Sequence, residues 1–197
     1  MKRIALSFVI PALIVFGLYA IHETARAGAD AIVYYEEGEN TVLLQEFVDA
    51  VGMISSKYGT GDIVVTTAWM PAHVMAKANS QGIVVNRMWT YGIMDGDAME
   101  AAGVEAGYHP GGCSAATATA IHEAAHVLDT RSYNEARYEL IEKYGTGESL
   151  HGLLSGYSFN DDGTLNVPEA LAEAFQAVEC GVANATEQEL WHMLAYW

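Results

Sequence analysis

Apolar residues recur along the chain with two different periods, and the change from one to the other divides it. Asp30–Tyr35 (DAIVYY), Asp62–Trp69 (DIVVTTAW) and Gly82–Trp89 (GIVVNRMW) are short runs rich in β-branched and aromatic residues. Each reads as a strand. Between the first two, Val42, Leu43, Phe47, Val48, Val51 and Ile54 fall at helical spacing within Thr41–Tyr58. Asn40 or Thr41 can cap that helix, and Gly59 ends it. Met70–Asn79 reads as a short helix opened by Pro71, and Asp95–Ala106 as one or two helical turns. After the breaker Pro110-Gly111-Gly112 the pattern is mostly helical. Ser114 can cap a helix running to about Asp129, small or apolar at most positions and so expected to be buried. Tyr133–Tyr144 reads as another helix and Gly145–Asn166 as loop. Pro168 suits the first turn of a long helix to about Val178, and a short one follows from Thr186. Strands come early and helices late, which is an α+β order rather than an alternating one.

The first 27 residues stand apart from this domain. Lys2 and Arg3 precede an apolar run, Ile4–Ala20, and Ala25-Arg26-Ala27 matches the small-x-small pattern of a signal-peptidase site. A cut after Ala27 is one reading. An uncleaved anchor over residues 4–20 is the other, although the run is short for a span and carries Pro11. Either one exports residues 28–197 as a single domain, secreted or periplasmic. The whole chain has 25 acidic and 9 basic residues; removal of the leader leaves 24 against 6, a net of −18. Such a surface repels nucleic acid and anionic lipid, so neither is expected as a partner, and the membrane is reached only through residues 4–20.

The sharpest chemical signal is His122-Glu123-Ala124-Ala125-His126. Positions i and i+4 share a helix face, so His122 and His126 can offer two imidazole nitrogens to one zinc ion. Glu123 projects beside them, where a carboxylate can take a proton from an attacking water and return it to the leaving amine. A His-Glu-x-x-His set on an otherwise uncharged, buried helix has polar groups to satisfy, and zinc satisfies them. The solvated-face alternative does not suit so apolar a helix. A third protein ligand is needed. Ser132 stands where a metzincin has its third histidine, and Asp129 is too close in sequence to reach the same ion without strain. Glu169, within Pro168-Glu169-Ala170-Leu171-Ala172-Glu173-Ala174-Phe175, is the expected ligand, with Glu173 one turn on as acceptor for the outer N–H of a ligand histidine.

HEAAH followed by PEALAEAF resembles the gluzincin pattern, nearest to the catalytic domain of anthrax lethal factor and related phage and bacterial peptidases; the resemblance covers about residues 107–178. It implies a zincin-like domain, with a small mixed sheet packed on the HExxH helix and a helical C-terminal half. It further implies His122, His126 and Glu169 as Zn2+ ligands, Glu123 as general base, and a peptide or protein substrate. The same pattern carries a tyrosine that steadies the oxyanion. Tyr157 is the matching residue, at a longer spacing from the glutamate, with His151 as its substitute.

Ser158–Glu169 follows much of an EF-hand loop, with Asn160, Asp162, Gly163, Leu165 and Glu169 at matching offsets, but Ser158 and Pro168 break it and a hairpin turn explains Asp161-Asp162-Gly163 as well. Cys113 and Cys180 can bridge if the two ligand-bearing helices are antiparallel, or can remain as buried thiols. The strand Gly82–Trp89 is expected at the sheet edge, where an extended peptide can add by β-augmentation. The competing functions are a non-catalytic secreted module stabilised by zinc and an envelope hydrolase acting on peptidoglycan peptides. Glu123 argues against the first, because a structural zinc site has no use for it.

Overall fold

The computed structural model describes residues 22–24 and 31–196. The expected anchor at residues 4–20 and the expected cut after Ala27 lie outside the described residues. The α+β order is observed. One mixed sheet contains β1 (His22–Thr24), β2 (Ala31–Tyr35), β3 (Ile63–Ala68), β4 (Ala76–Asn79) and β5 (Gly82–Asn86), in the order β1-β2-β3-β5-β4. β2, β3 and β5 are parallel, while β1 and β4 run antiparallel at the two edges. No described helix is long and apolar enough to cross a membrane.

Helix α1 (Thr41–Tyr58) starts where Asn40 accepts hydrogen bonds from the amides of Val42 and Leu43, and stops at the left-handed Gly59. Its Phe47, Val51 and Ile54 are fully buried with Ile63 and Val65 of β3, and with Ile121 and Ala124 of α4 (Ala115–Arg131). Burial of each such large side chain contributes about 1.5–3 kcal/mol. Helix α4 is rich in alanine, and Ala118, Ala120 and Ala124 are fully covered. Small side chains let it lie centrally, against α1, the β4 edge and α6 (Val167–Glu179) at once. Two short helices, α2 (Arg87–Thr90) and α3 (Gly96–Glu105), precede α4. Helices α5 (Glu135–Tyr144) and α7 (Ala185–Ala195) pack on the other side of α6. Trp191 of α7 donates to the Tyr58 hydroxyl at 3.0 Å, and Tyr58 in turn donates to Glu179 of α6, which ties the three helix ends together.

Four local expectations are corrected. The helix expected over Met70–Asn79 is instead a loop followed by strand β4. The buried Asn86 side chain donates to the carbonyls of Pro71 at 3.0 Å and Val74 at 2.7 Å, which holds the chain open. Asn79 then accepts from the amides of Gln81 and Gly82 and closes a hairpin. The strand expected over Gly82–Trp89 ends at Asn86, whose side chain accepts from Met88 and caps α2. Trp89 turns inward over Gly96, where an added Cβ would stand 2.2 Å from its ring nitrogen. That strand is also not an edge: β5 lies between β3 and β4, and β4 occupies the edge. Finally, the helix expected from Tyr133 starts at Glu135, because Tyr133 and Asn134 both have φ of 59° and turn the chain between α4 and α5.

Candidate metal centre

Two helices build the site. Ser114 caps α4 by accepting from the Thr117 amide at 3.3 Å, and two turns later the helix presents His122, Glu123 and His126. Asn166 precedes α6, and Glu169 stands in the first turn of that helix. The helices are stapled at the far end from their ligands by a disulfide between Cys113 and Cys180, with Cα atoms 5.4 Å apart. Gly112, at φ 89°, lets the chain pass the bridge; a Cβ there would sit 2.8 Å from the Cys180 carbonyl oxygen.

The three ligand atoms converge. His122 Nε2 is 2.9 Å from Glu169 Oε2, His126 Nε2 is 3.2 Å from His122 Nε2, and His126 Nε2 is 3.3 Å from Glu169 Oε2. Three ligands at about 2.1 Å from one ion in tetrahedral directions stand ~3.4 Å apart, close to this triangle. Among the described residues, His122, His126 and Glu169 form the one group of His, Cys, Asp or Glu side chains close enough to share a metal ion. Behind the triangle, Glu173 is 1% exposed. Its Oε1 lies 2.9 Å from His122 Nδ1, and its Oε2 accepts from Ser155 Oγ at 2.7 Å.

The donor set suits a cation. A neutral His122 with its proton on Nδ1 toward Glu173 offers only a lone pair at Nε2, facing a carboxylate oxygen at 2.9 Å. Such a cluster needs positive charge, either a second proton on His122 or a divalent ion. The electrostatics follow the same logic. Burial works against a charged His122, yet contacts with Glu169 and Glu173 hold its pKa well above 6.5 in the metal-free protein. Burial likewise opposes ionisation of Glu173, but His109 and His122 bring its pKa down to about 2. Glu169 is opposed by burial too, and His122 and His126 hold it far below the carboxylate range. Glu123 departs in the other direction. Burial raises its pKa, and neighbouring His122 and His126 only partly offset that. The Ala78 amide of the edge strand β4 faces its carboxylate.

The structure brings Tyr157 to the centre, with its ring centroid 5.8 Å from that of His122. Burial first, then the charges of Glu169, Glu123 and Glu173, push its phenol above the usual range, so it remains an O–H donor. His151, its expected substitute, stacks on Phe159 and contacts the Gly163 carbonyl at 2.9 Å instead. Of the two readings of Asp161-Asp162-Gly163, the turn is the one observed: Asp162 Oδ1 accepts from the amide and hydroxyl of Thr164, while Glu169 points to the histidines. Asp129 pairs with Arg137. Two members were not anticipated from the sequence. His109 Nδ1 lies 3.5 Å from Glu173 Oε1, and Ser155 holds the other oxygen. Neither belongs to a spacing pattern. The only hint for His109 was its place beside the Pro110-Gly111-Gly112 break.

Comparison with family models, with curated proteins and with solved structures finds no match for this chain.

Proposed function

We propose that the chain is a zinc-dependent endopeptidase with a zincin-like, gluzincin-type site. The observation that carries this is the convergence of His122 Nε2, His126 Nε2 and Glu169 Oε2 within 3.3 Å of one another, with Glu123 on the same helix as the histidines. Two imidazoles and one carboxylate are a catalytic rather than a structural zinc set, because they leave a coordination position open. When bound, the ion supplies Lewis acidity and lowers the pKa of a water to about 7. The protein's own groups do the rest. Glu173 orients His122 from behind. Glu123 accepts the proton of the attacking water and delivers it to the leaving amine. Tyr157 donates its O–H toward the oxygen of the scissile carbonyl as charge develops there. The side chains of His126 and Glu169 are 18% and 21% exposed, so substrate can approach from that side. The disulfide supports the exported location, since such bonds persist in oxidising compartments.

The direct test is cleavage of casein and of a broad peptide library with and without chelator, beside the zinc content of Glu169→Ala. Activity lost on chelation and restored by zinc, with metal affinity reduced on the order of 100-fold in Glu169→Ala, is the expected result. Tight zinc retained by Glu169→Ala would show that the third ligand is another residue. Zinc bound without any peptide cleavage would favour a non-catalytic module, and release of cell-wall peptides would redirect the substrate to the envelope.

A pH dependence follows from the charged cluster. In the metal-free protein the raised His122 pKa contributes stability that is fully present below about pH 6.5 and is lost as pH rises through the folded value. The depressed Glu169 and Glu173 contribute above about pH 4.3 and lose it as pH falls toward their folded values. Chelated protein should therefore melt at a higher temperature near pH 6 than near pH 9. Zinc competes with the extra proton on His122, so its binding at pH 7 should release about one proton, read from the buffer dependence of the calorimetric enthalpy. Binding without proton release would mean that His122 is already neutral.

A further inference from the structure

Beside the metal centre lies an open cavity of about 500 Å³ lined by Tyr108, Tyr157 and Phe159 and by Asp161 and Asp162. We propose that this cavity is a subsite for a lysine or arginine side chain of the peptide substrate. The proposal rests on the peptidase reading and deepens it by naming the substrate class.

Position is the first argument. Tyr157 belongs to both places: it lines the cavity, and its ring lies 5.8 Å from that of His122. Asn166 lines the cavity as well and immediately precedes α6, whose first turn bears Glu169. A peptide running through the metal centre thus passes the mouth of the cavity. Chemistry is the second. Tyr108 and Tyr157 meet edge to face with centroids 5.3 Å apart, which leaves an aromatic corner able to receive an alkyl stem or a flat guanidinium. Asp161 and Asp162 are exposed at the turn above it. Thr164 occupies only Oδ1 of Asp162, through its amide at 3.0 Å and its hydroxyl at 2.6 Å. These donors also keep the Asp162 carboxyl below its ordinary range, so it is ionised at neutral pH. Among the described residues no Lys, Arg or His lines the cavity; His109 packs on Tyr108 and Tyr157, and His151 on Phe159, outside the lining. An acidic side chain is repelled there, and a neutral apolar one would meet the aromatic walls but face two carboxylates. A basic side chain meets both.

The test uses the zinc-loaded protein and peptide pairs that differ only by lysine or norleucine, scanned over the positions around a cleaved bond. The expected result is a preference for lysine at one position of about three- to tenfold in kcat/KM, as befits a partly solvated charge beside aromatic rings. In Asp161→Asn/Asp162→Asn, which keeps the turn acceptors, that ratio should fall to near one. In parallel, the same pairs are titrated against zinc-loaded Glu123→Gln by fluorescence anisotropy, which reads binding alone. No lysine preference in either measurement, or a preference that survives in the double variant, overturns the subsite. Absence of cleavage with every peptide would instead sink the peptidase reading, and the binding titration would still decide the subsite on its own.

Discussion

Glu123→Gln is expected to lower kcat by on the order of 10²- to 10⁴-fold while zinc content stays at one ion per chain. The amide is nearly the same size and shape as the carboxylate, so the packing of α4 is preserved. Glu123 is not among the three converging ligand atoms, so the metal triangle is untouched. What is lost is the ability to accept a proton. Glu123 is 8% exposed and its pKa is raised by burial, which moves it toward the pH at which it must both take and return a proton. Equal kcat in variant and parent would assign the proton transfer to another group. Loss of zinc together with activity would show that Glu123 holds the ion rather than the water.

Removing the bridge in Cys113→Ala/Cys180→Ala is expected to cost about 4 kcal/mol of unfolding free energy in the metal-free protein. The bond closes a loop between residues 67 apart, and the chain-entropy relation gives roughly that value at 25 °C. Against a typical total of about 5–15 kcal/mol this is a large share. Urea titrations of parent and variant in chelator measure it, and coincident midpoints would mean that the bridge constrains nothing the fold does not already hold. The zinc affinity of the variant should fall as well. Cys113 lies at the start of α4 and Cys180 at the end of α6, and their bond limits how far the two ligand-bearing helices can separate.

The parts of the site readable from the chain were those set within one helix. His122 and His126, or Glu169 and Glu173, are four residues apart, and helix geometry alone puts each pair on one face. That Glu169 meets His122 from 47 residues away is a tertiary fact, made possible by the alanine-rich surface of α4 that lets α6 come close. Tyr157 and its substitute His151 lie in the same loop-rich stretch, and only the family resemblance ranks them. The turn at Asn160–Thr164 separates them, drawing His151 to the Gly163 carbonyl and leaving Tyr157 beside His122. His109 and Ser155 act through Glu173, and nothing in their neighbourhoods announces it.

The same division runs through the fold. Sequence alone determined α1 with its Asn40 cap, the positions of β2 and β3, the capped HExxH helix and the proline-led α6. Each is specified by side-chain periodicity and by caps that act within a turn or two. Tertiary structure decided that Ala76–Asn79 is a strand. Four residues lack the length to declare a period, and their backbone is satisfied by β5 on one side, with α4 packed against them. It also decided that this strand, rather than β5, forms the edge beside Glu123. A sheet edge is defined by which neighbour is missing, and no local pattern in a strand records that.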